Sequence, residues 1–312
     1  MSAADSSKRP IIAVVGPTAS GKSDLGIALA LGAGGEIINC DSVQVYREIE
    51  IATAKVPLAE RRGVPHHLID FVAPEVNYTA ADWARAALGV IDEIEARGRI
   101  AFLVGGTGFY LRALREPFFE TRPTDEKLRA RLTGIRERRG PSHLHEILCR
   151  LDAASARKLH PHDWVRVQRA LEVRLQTGLP LSAQQTARPD PPPHAARLRV
   201  FALNPPREEL YRRIDERTVS HFRAGLVDEV RRLLESGVPA RSNALGAHGY
   251  RRVVEHLRGE RTLESAVEQT RLDVRHYAKR QLTWFRREPG VEWLEGFGDD
   301  PRIQEQVAAR LG

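Results

Sequence analysis

Cysteine is scarce in this chain: 312 residues contain only Cys40 and Cys149, far apart and in no metal-ligand spacing. That excludes a zinc ribbon or a disulfide framework and points to a reducing compartment. Lysine is scarce as well: six of the 48 basic residues, leaving 42 arginines. Coding bias accounts for that preference, though not for the sign of the net charge. No apolar run approaches the roughly 20 residues needed to cross a bilayer. Residues 1–10 are polar and lack an apolar core, so no signal peptide is expected. There is no internal repeat and no low-complexity tract. The expectation is a soluble, cytoplasmic protein without a membrane partner.

Hydrophobic residues make up 42% of the chain, enough for a packed core of one large or two small domains. The net charge is +7 and the sequence pI about 9.7, a balance that suits a polyanionic partner such as nucleic acid.

Strands and helices alternate in the first third. Ile11 to Val15 and Ile100 to Val104 read as buried parallel strands, Glu36 to Cys40 as another, and His67 to Asp70 as a shorter one. Asp24 to Leu31 and Thr79 to Arg97 read as helices. The second carries a Thr79–Asp82 capping box and an apolar stripe of Trp83, Ala87, Ile91 and Ile94. From Thr124 to about Thr186 the chain is charged and helical in pattern, and four prolines between Pro189 and His194 mark a linker. Strand character returns at Leu198 to Leu203, then helices over Arg207 to Glu216, Ser220 to Glu235 and Thr262 to Arg287, with an edge strand at Val291 to Leu294. The expected architecture is α/β, a parallel sheet flanked by helices and interrupted by an all-helical insertion. The parts are 1–123, 124–187 and 188–312.

Gly16-Pro17-Thr18-Ala19-Ser20-Gly21-Lys22-Ser23 matches the phosphate-binding pattern G-x-x-x-x-G-K-[ST], with a strand before it and a helix after. Loop amides and the helix N-terminus aim donors at an anion, Lys22 adds charge, and the Ser23 hydroxyl suits Mg²⁺. ATP is the default ligand of such a loop, but any diphosphate has the needed groups. Asp41, at the end of the second strand, is placed either for general-base work or for metal binding or capping. Gly105-Gly106-Thr107-Gly108 ends another strand. Its glycines allow close approach of a ligand and Thr107 can donate to a phosphate oxygen, but taken alone the segment reads slightly better as a plain strand-to-helix turn.

Taken in order, these segments resemble the tRNA isopentenyltransferase (tRNA dimethylallyltransferase) family. The resemblance rests on residues 16–23, Asp41-Ser42-Val43-Gln44-Val45-Tyr46, Thr53-Ala54-Lys55, Pro65-His66-His67-Leu68, Tyr78-Thr79-Ala80-Ala81-Asp82 and Val104 to Gly108. It continues through His160-Pro161, Arg169-Ala170-Leu171-Glu172, Gly249-Tyr250, and Lys279-Arg280-Gln281 with Thr283-Trp284-Phe285. The resemblance implies a P-loop kinase-like core. It also implies transfer of a dimethylallyl group from dimethylallyl diphosphate to the N6 amine of adenosine 37 in tRNAs reading codons that start with U, with Mg²⁺ as cofactor. By position, Asp41, Thr107 and Arg129 take catalytic roles. Residues 16–23 with Arg213 and Arg217 hold the diphosphate, with Ser23 on the metal.

The tRNA anticodon stem-loop falls to Asp41, Ser42, Val43 and Gln44, to Arg166, Val167, Gln168 and Arg169, and to Gly249, Tyr250 and Arg251. Arg271, Arg275 and Lys279 share one helix face that suits phosphate contacts. The chain departs from the family's Ile-Gly-Tyr-Lys-Glu at His248 to Arg252, so those two end positions carry no family role. His66 and His67 read as structural. There is no C-terminal zinc finger, as in the bacterial form, and a monomer is expected. An adenylate isopentenyltransferase, a P-loop ATPase or kinase, and a regulatory nucleic-acid-binding protein are the competing classes. The long basic insertion disfavours the first, and the Asp41 to Tyr46 motif the other two.

Overall fold

The protein is described by a computed structural model over residues 9–116, 125–186 and 190–311. It divides into two compact units, 1–115 with 192–312, and 116–191. The boundaries expected at 123/124 and 187/188 lie outside the described residues.

The first unit begins with β1 (Ile11–Val15), α1 (Lys22–Ala33), β2 (Glu36–Asn39), β3 (His66–His67), α2 (Ala80–Ala96), β4 (Ala101–Gly105) and α3 (Gly108–Arg115). Every residue of β1, β2 and β4 is buried, as expected for strands covered on both faces. The β3 strand is shorter than the sequence suggests because Leu68 and Asp70 take left-handed backbone, with φ of 56° each. Helix α2 is capped as expected: Thr79 accepts from the Asp82 amide and Asp82 from the Thr79 amide. Its stripe of Trp83, Ala87, Ile91 and Ile94 is fully buried.

The second unit holds α4 (Glu126–Arg139), α5 (Pro141–Leu151), α6 (Ala153–Lys158), α7 (Trp164–Thr177) and α8 (Leu181–Thr186). They pack around Leu132, Leu144, Leu148, Val167 and Leu171. Asp125, Asp152 and Asp163 cap α4, α6 and α7. Asp152 also accepts from Ser155 and Ser182, and these bonds hold its carboxyl down at about 2 despite burial.

The first unit then resumes with α9 (Pro193–Ala196), β5 (Leu198–Leu203), α10 (Arg207–Arg223), α11 (Leu226–Glu235), α12 (Tyr250–Leu257), α13 (Leu263–Phe285), β6 (Val291–Leu294) and α14 (Pro301–Leu311). The break expected near residue 218 falls instead at Ala224–Gly225. Thr218 stays helical, buried with its hydroxyl on the Ile214 carbonyl at 2.8 Å, and Gly225 supplies the left-handed turn at φ 95°. Arg217 therefore sits inside one long helix, with His221 one turn further on.

The sheet has the order β3-β2-β4-β1-β5-β6, with every pairing parallel. Its register aligns three strand ends, since Asn39 pairs with Val104 and Val15 with Gly105. The segments that follow, Cys40–Asp41, Gly106–Thr107 and Gly16–Ser23, therefore emerge side by side at the carboxyl edge, where ligands of parallel α/β sheets bind.

Candidate active site

The phosphate-binding loop turns on Gly21, which caps α1 with φ 79° and would bring a Cβ within 2.7 Å of the Asp299 amide. Within the loop, Lys22 Nζ donates to the Pro17 carbonyl at 2.6 Å. Arg217 donates to the Thr18 hydroxyl. Burial pushes Lys22 down to about 8, the charge of Arg217 adding to the effect and that of Asp41 opposing it. Arg217 is pushed down to about 10 by burial, again opposed by Asp41. Among the described residues neither cation has a carboxylate at ion-pair distance. Two desolvated positive charges beside a helix N-terminus form a site that an anion would stabilise.

Asp41 is fixed by its neighbours. The Asn39 side chain brackets the turn, donating to the Asp41 carbonyl at 3.1 Å and accepting from the Asp41 amide at 3.1 Å. One carboxylate oxygen, Oδ1, accepts from the amides of Val43 at 2.8 Å and Gln44 at 3.3 Å. That leaves Oδ2 for a substrate. Thr107 ties this turn to β4: its amide donates to the Cys40 carbonyl at 3.1 Å and its hydroxyl accepts from the Ser42 amide at 3.0 Å. The approach is that close because residue 105 is glycine: a Cβ there would overlap the Cys40 carbonyl. Gln44 spends its amide nitrogen on the carbonyls of Thr53 and Ala54, at 3.0 and 3.3 Å.

A cavity of about 240 Å³ opens between these parts, lined among others by Thr18, Asp41, Arg217, His221, His248 and Tyr277. Burial pushes both histidines down to about 4, with Arg217 adding to the effect at His221 and Arg280 at His248. Both are therefore uncharged at neutral pH, and the Tyr277 phenol is pushed up by burial. The cavity lining thus combines the cation of Arg217, the carboxylate of Asp41 and the neutral rings of His221, His248 and Tyr277. His221 and Tyr277 escape a reading of the sequence. Their only signals are a histidine four residues after Arg217 and a tyrosine four before Gln281.

Several expected contacts lie elsewhere. Arg213 does not line the cavity: its Nη1 donates to both Asp299 oxygens and its guanidinium stacks over Phe297. Tyr250 is fully buried, donating to Glu229 at 2.6 Å and accepting from the Ala52 amide at 3.2 Å, so its side chain is structural and offers nothing to RNA. Gly249, with φ 89°, is buried but does line the cavity, while Arg251 is exposed and paired with Glu255 at 3.2 Å. On α13, Arg275 is committed to Asp215 and Arg271 to Glu268, while Lys279 and Arg280, with Arg286 and Arg287 just past the helix, are exposed cations.

Within the helical unit, Arg129 donates to both Glu172 oxygens at 2.9 and 3.1 Å. Val167 and Gln168 are buried in its core, which removes their side chains from any RNA surface. Arg166 is exposed and Arg169 half-buried, both reaching solvent.

Mg²⁺ takes few protein ligands and relies on substrate phosphates and water. The oxygen donors here, Ser23 at the start of α1 and the nearby Asp41 carboxylate, fit that habit. The one cluster of three potential metal ligands among the described residues, Asp92, Glu95 and His194, lies away from the loop on other elements. Also among the described residues, no helix is long and apolar enough to cross a membrane.

Comparison with known proteins gives the family. The family model described as IPP transferase matches residues 44–288, and that described as isopentenyl transferase matches residues 9–70. A tRNA dimethylallyltransferase of Solibacter usitatus is 49% identical over 97% of this chain and 98% of its own. One from Geobacter metallireducens is 47% identical over 92% and 93%. Among solved structures, the tRNA isopentenylpyrophosphate transferase of Bacillus halodurans superposes with a TM-score of 0.70 at 37% identity, covering 97% of each chain. A eukaryotic dimethylallyltransferase acting on tRNA superposes with a TM-score of 0.80 at 29% identity, over 97% of this chain and 77% of its own. The chain belongs to the tRNA dimethylallyltransferase family of IPP transferases.

Proposed function

We propose that this protein transfers a dimethylallyl group from dimethylallyl diphosphate to the N6 amine of adenosine 37 in tRNAs reading codons that begin with U, releasing diphosphate. The observation that carries the reading is a pair of buried cations without carboxylate partners, Lys22 in the glycine-rich loop and Arg217 in the cavity wall, both within electrostatic reach of Asp41, whose open oxygen belongs to the same cavity lining as Arg217. An NTP site explains the first half of that arrangement. A prenyl donor whose diphosphate is the leaving group, and an amine acceptor that must lose a proton, explain both.

In this mechanism the loop amides, Lys22 and Arg217 bind the diphosphate and stabilise the charge that grows on it as the carbon–oxygen bond breaks. The target adenine leaves its stack and enters the cavity, as chemistry on a base requires. Its N6 nitrogen forms the new bond to the allylic carbon, and Asp41 Oδ2 accepts the amine proton. Diphosphate departs with the electron pair of the broken bond. The Thr107 hydroxyl, whose donated bond to Ser42 Oγ is a weak 3.3 Å, is able to turn toward the leaving oxygen. Bound through Ser23, Mg²⁺ would supply further charge neutralisation on the diphosphate. Arg129 belongs to the proposal through family position; in its own unit Glu172 orients it.

For tRNA, this reading retains the Asp41 to Gln44 segment, whose Asp41, Ser42 and Val43 line the cavity, and the side chains of Arg166, Arg169 and Arg251, with backbone contacts alone from Val167, Gln168, Gly249 and Tyr250. Action as a monomer is part of this proposal.

The test is direct. Folded protein is incubated with dimethylallyl diphosphate, Mg²⁺ and an unmodified tRNA carrying adenines at 36 to 38, and the digested nucleosides are weighed. A prenyl-adenosine at position 37 is expected; its absence overturns the reading.

A further inference from the structure

Gln281 is buried on α13, far in sequence from the loops it touches. Its Oε1 accepts from the Thr18 amide at 2.8 Å, inside the phosphate-binding loop. Its Nε2 donates to the Gly106 carbonyl at 2.9 Å. Both ends of one side-chain amide are thus engaged, each by a different strand-end loop. A Cβ on Gly106 would overlap Gln281 Nε2, so glycine at 106 is what lets the amide in.

The Gly106 side of this link leads straight to the carboxylate. Thr107, the next residue, holds the Cys40 carbonyl and the Ser42 amide, and so sets the turn that carries Asp41. The Thr18 side leads to the anion cradle, because the Thr18 hydroxyl accepts from Arg217 and the neighbouring Pro17 carbonyl accepts from Lys22. Sheet pairing fixes the strands, but the two loops lie beyond its last hydrogen bonds at Val15 and Gly105. Past that point, Gln281 is a direct polar crosspiece between them.

We propose that Gln281 is a positioning residue that sets the separation between the diphosphate cradle and the Asp41 carboxylate. The inference rests on the prenyl-transfer reading above. A side chain in this role contributes through alignment, and misplacement by about 1 Å can cost about 100-fold in rate. The amide is suited to the role because it donates at one end and accepts at the other without carrying charge next to Lys22 and Arg217.

Two variants test it. Gln281→Met keeps the length and removes both bonds; kcat is expected to fall about 10- to 100-fold, while tRNA affinity stays within about threefold, since the residue is buried. Gln281→Glu keeps the acceptor for Thr18 but donates to Gly106 only when protonated. Its rate relative to the unsubstituted protein is therefore expected to rise as pH falls from about 8 to about 6, burial bringing a carboxyl into that range, and the Met variant's ratio is expected to stay flat. Hydrogen exchange of the 16–23 segment in the absence of substrates is expected to quicken in the Met variant. Unchanged kcat in both variants overturns the inference, as does a Glu ratio that ignores pH. If the Met variant does not fold, the Glu ratio decides. Absence of transfer by the unsubstituted protein would count against the function itself, whereas an active parent with indifferent variants counts against Gln281 alone.

Discussion

Arg213 grips both oxygens of Asp299, at 3.0 and 2.9 Å, and its guanidinium lies 3.7 Å over the Phe297 ring. One turn along the same helix Arg217 has no carboxylate partner and reaches Thr18 instead. Two arginines four residues apart, alike in sequence, are thus given different work. Asp299 packs on Gly21, so Arg213 braces the loop through Asp299, whereas Arg217 lines the cavity.

The arginines should separate on substitution. Arg217→Gln is expected to lower kcat/KM for dimethylallyl diphosphate by about 100- to 1,000-fold, the cost of removing one charged donor from a leaving group. Arg213→Gln should lower it less than tenfold. Its ion pair is about one-third exposed, so the stability loss, read by thermal melting, is expected at about 1 kcal/mol or less. Equal kinetic losses in the two variants would contradict the assignment.

Asp41 has two duties that substitution can divide. Asp41→Asn retains an oxygen to accept from the Val43 and Gln44 amides, and Asp41→Ala does not. Both should lose about 100- to 10,000-fold in kcat as the base is removed. Only the alanine variant should also lose melting temperature, by the cost of a lost turn cap of about 1 kcal/mol. tRNA affinity, measured by filter binding, should hold in the asparagine variant; a loss parallel to activity would instead make Asp41 a recognition residue.

The pH dependence follows from Lys22. Burial depresses it to about 8, so in the free enzyme it is charged below that pH and neutral above. Donor KM is expected to rise as pH passes upward through about 8, and Lys22→Arg, which stays charged, should remove that inflection. The stability effect has the matching sign. The unfolded chain keeps the lysine proton to about 10.5, so between about 8 and 10.5 it binds more protons than the folded protein. Over that window this group's contribution to stability rises with pH.

The same buried charge predicts a thermal signature. Lys22→Met removes an unmatched cation, so the ligand-free protein should melt no lower than the parent and should be inactive. Inorganic diphosphate at about 100 times its Kd is expected to raise the parent's melting temperature by about 5 °C and to leave the variant's nearly unchanged. A similar shift in both would place diphosphate elsewhere.

In the helical unit, charge and burial assign neighbours to different roles. Raising salt should weaken tRNA binding steeply, and Arg166→Ala should reduce the slope of log affinity against log salt by about 1. Val167→Ala should leave the slope alone and cost about 2 kcal/mol of stability, because Val167 is fully buried.

Features that depend on neighbours along the chain are legible in the sequence. The strands β1, β2, β4 and β5, the capping box of α2, the glycine-rich loop and the helical insertion all show local periodicity or local motifs. The acid at 41 and the threonine at 107 are legible as strand-end residues, since parallel sheets present those ends together. Left-handed backbone at Leu68 has no such signal, because leucine does not favour it, and β3 ends earlier than its pattern implies. The break between α10 and α11 comes later than the pattern implies because Thr218 gains its helical state from burial.

By itself the sequence determined an α/β core with an anion loop, an acid beside it, and membership of a prenyl-transferring family. Only the tertiary structure decided which arginine has a carboxylate partner, that Tyr250 is core, and that Gln281 joins two loops. Those outcomes depend on partners such as Glu229, Asp299 and Thr18, which stand 21, 86 and 263 residues away along the chain. A side chain's role is set by what packing brings within hydrogen-bond range, and helix periodicity alone cannot distinguish a cation with a carboxylate partner from one without.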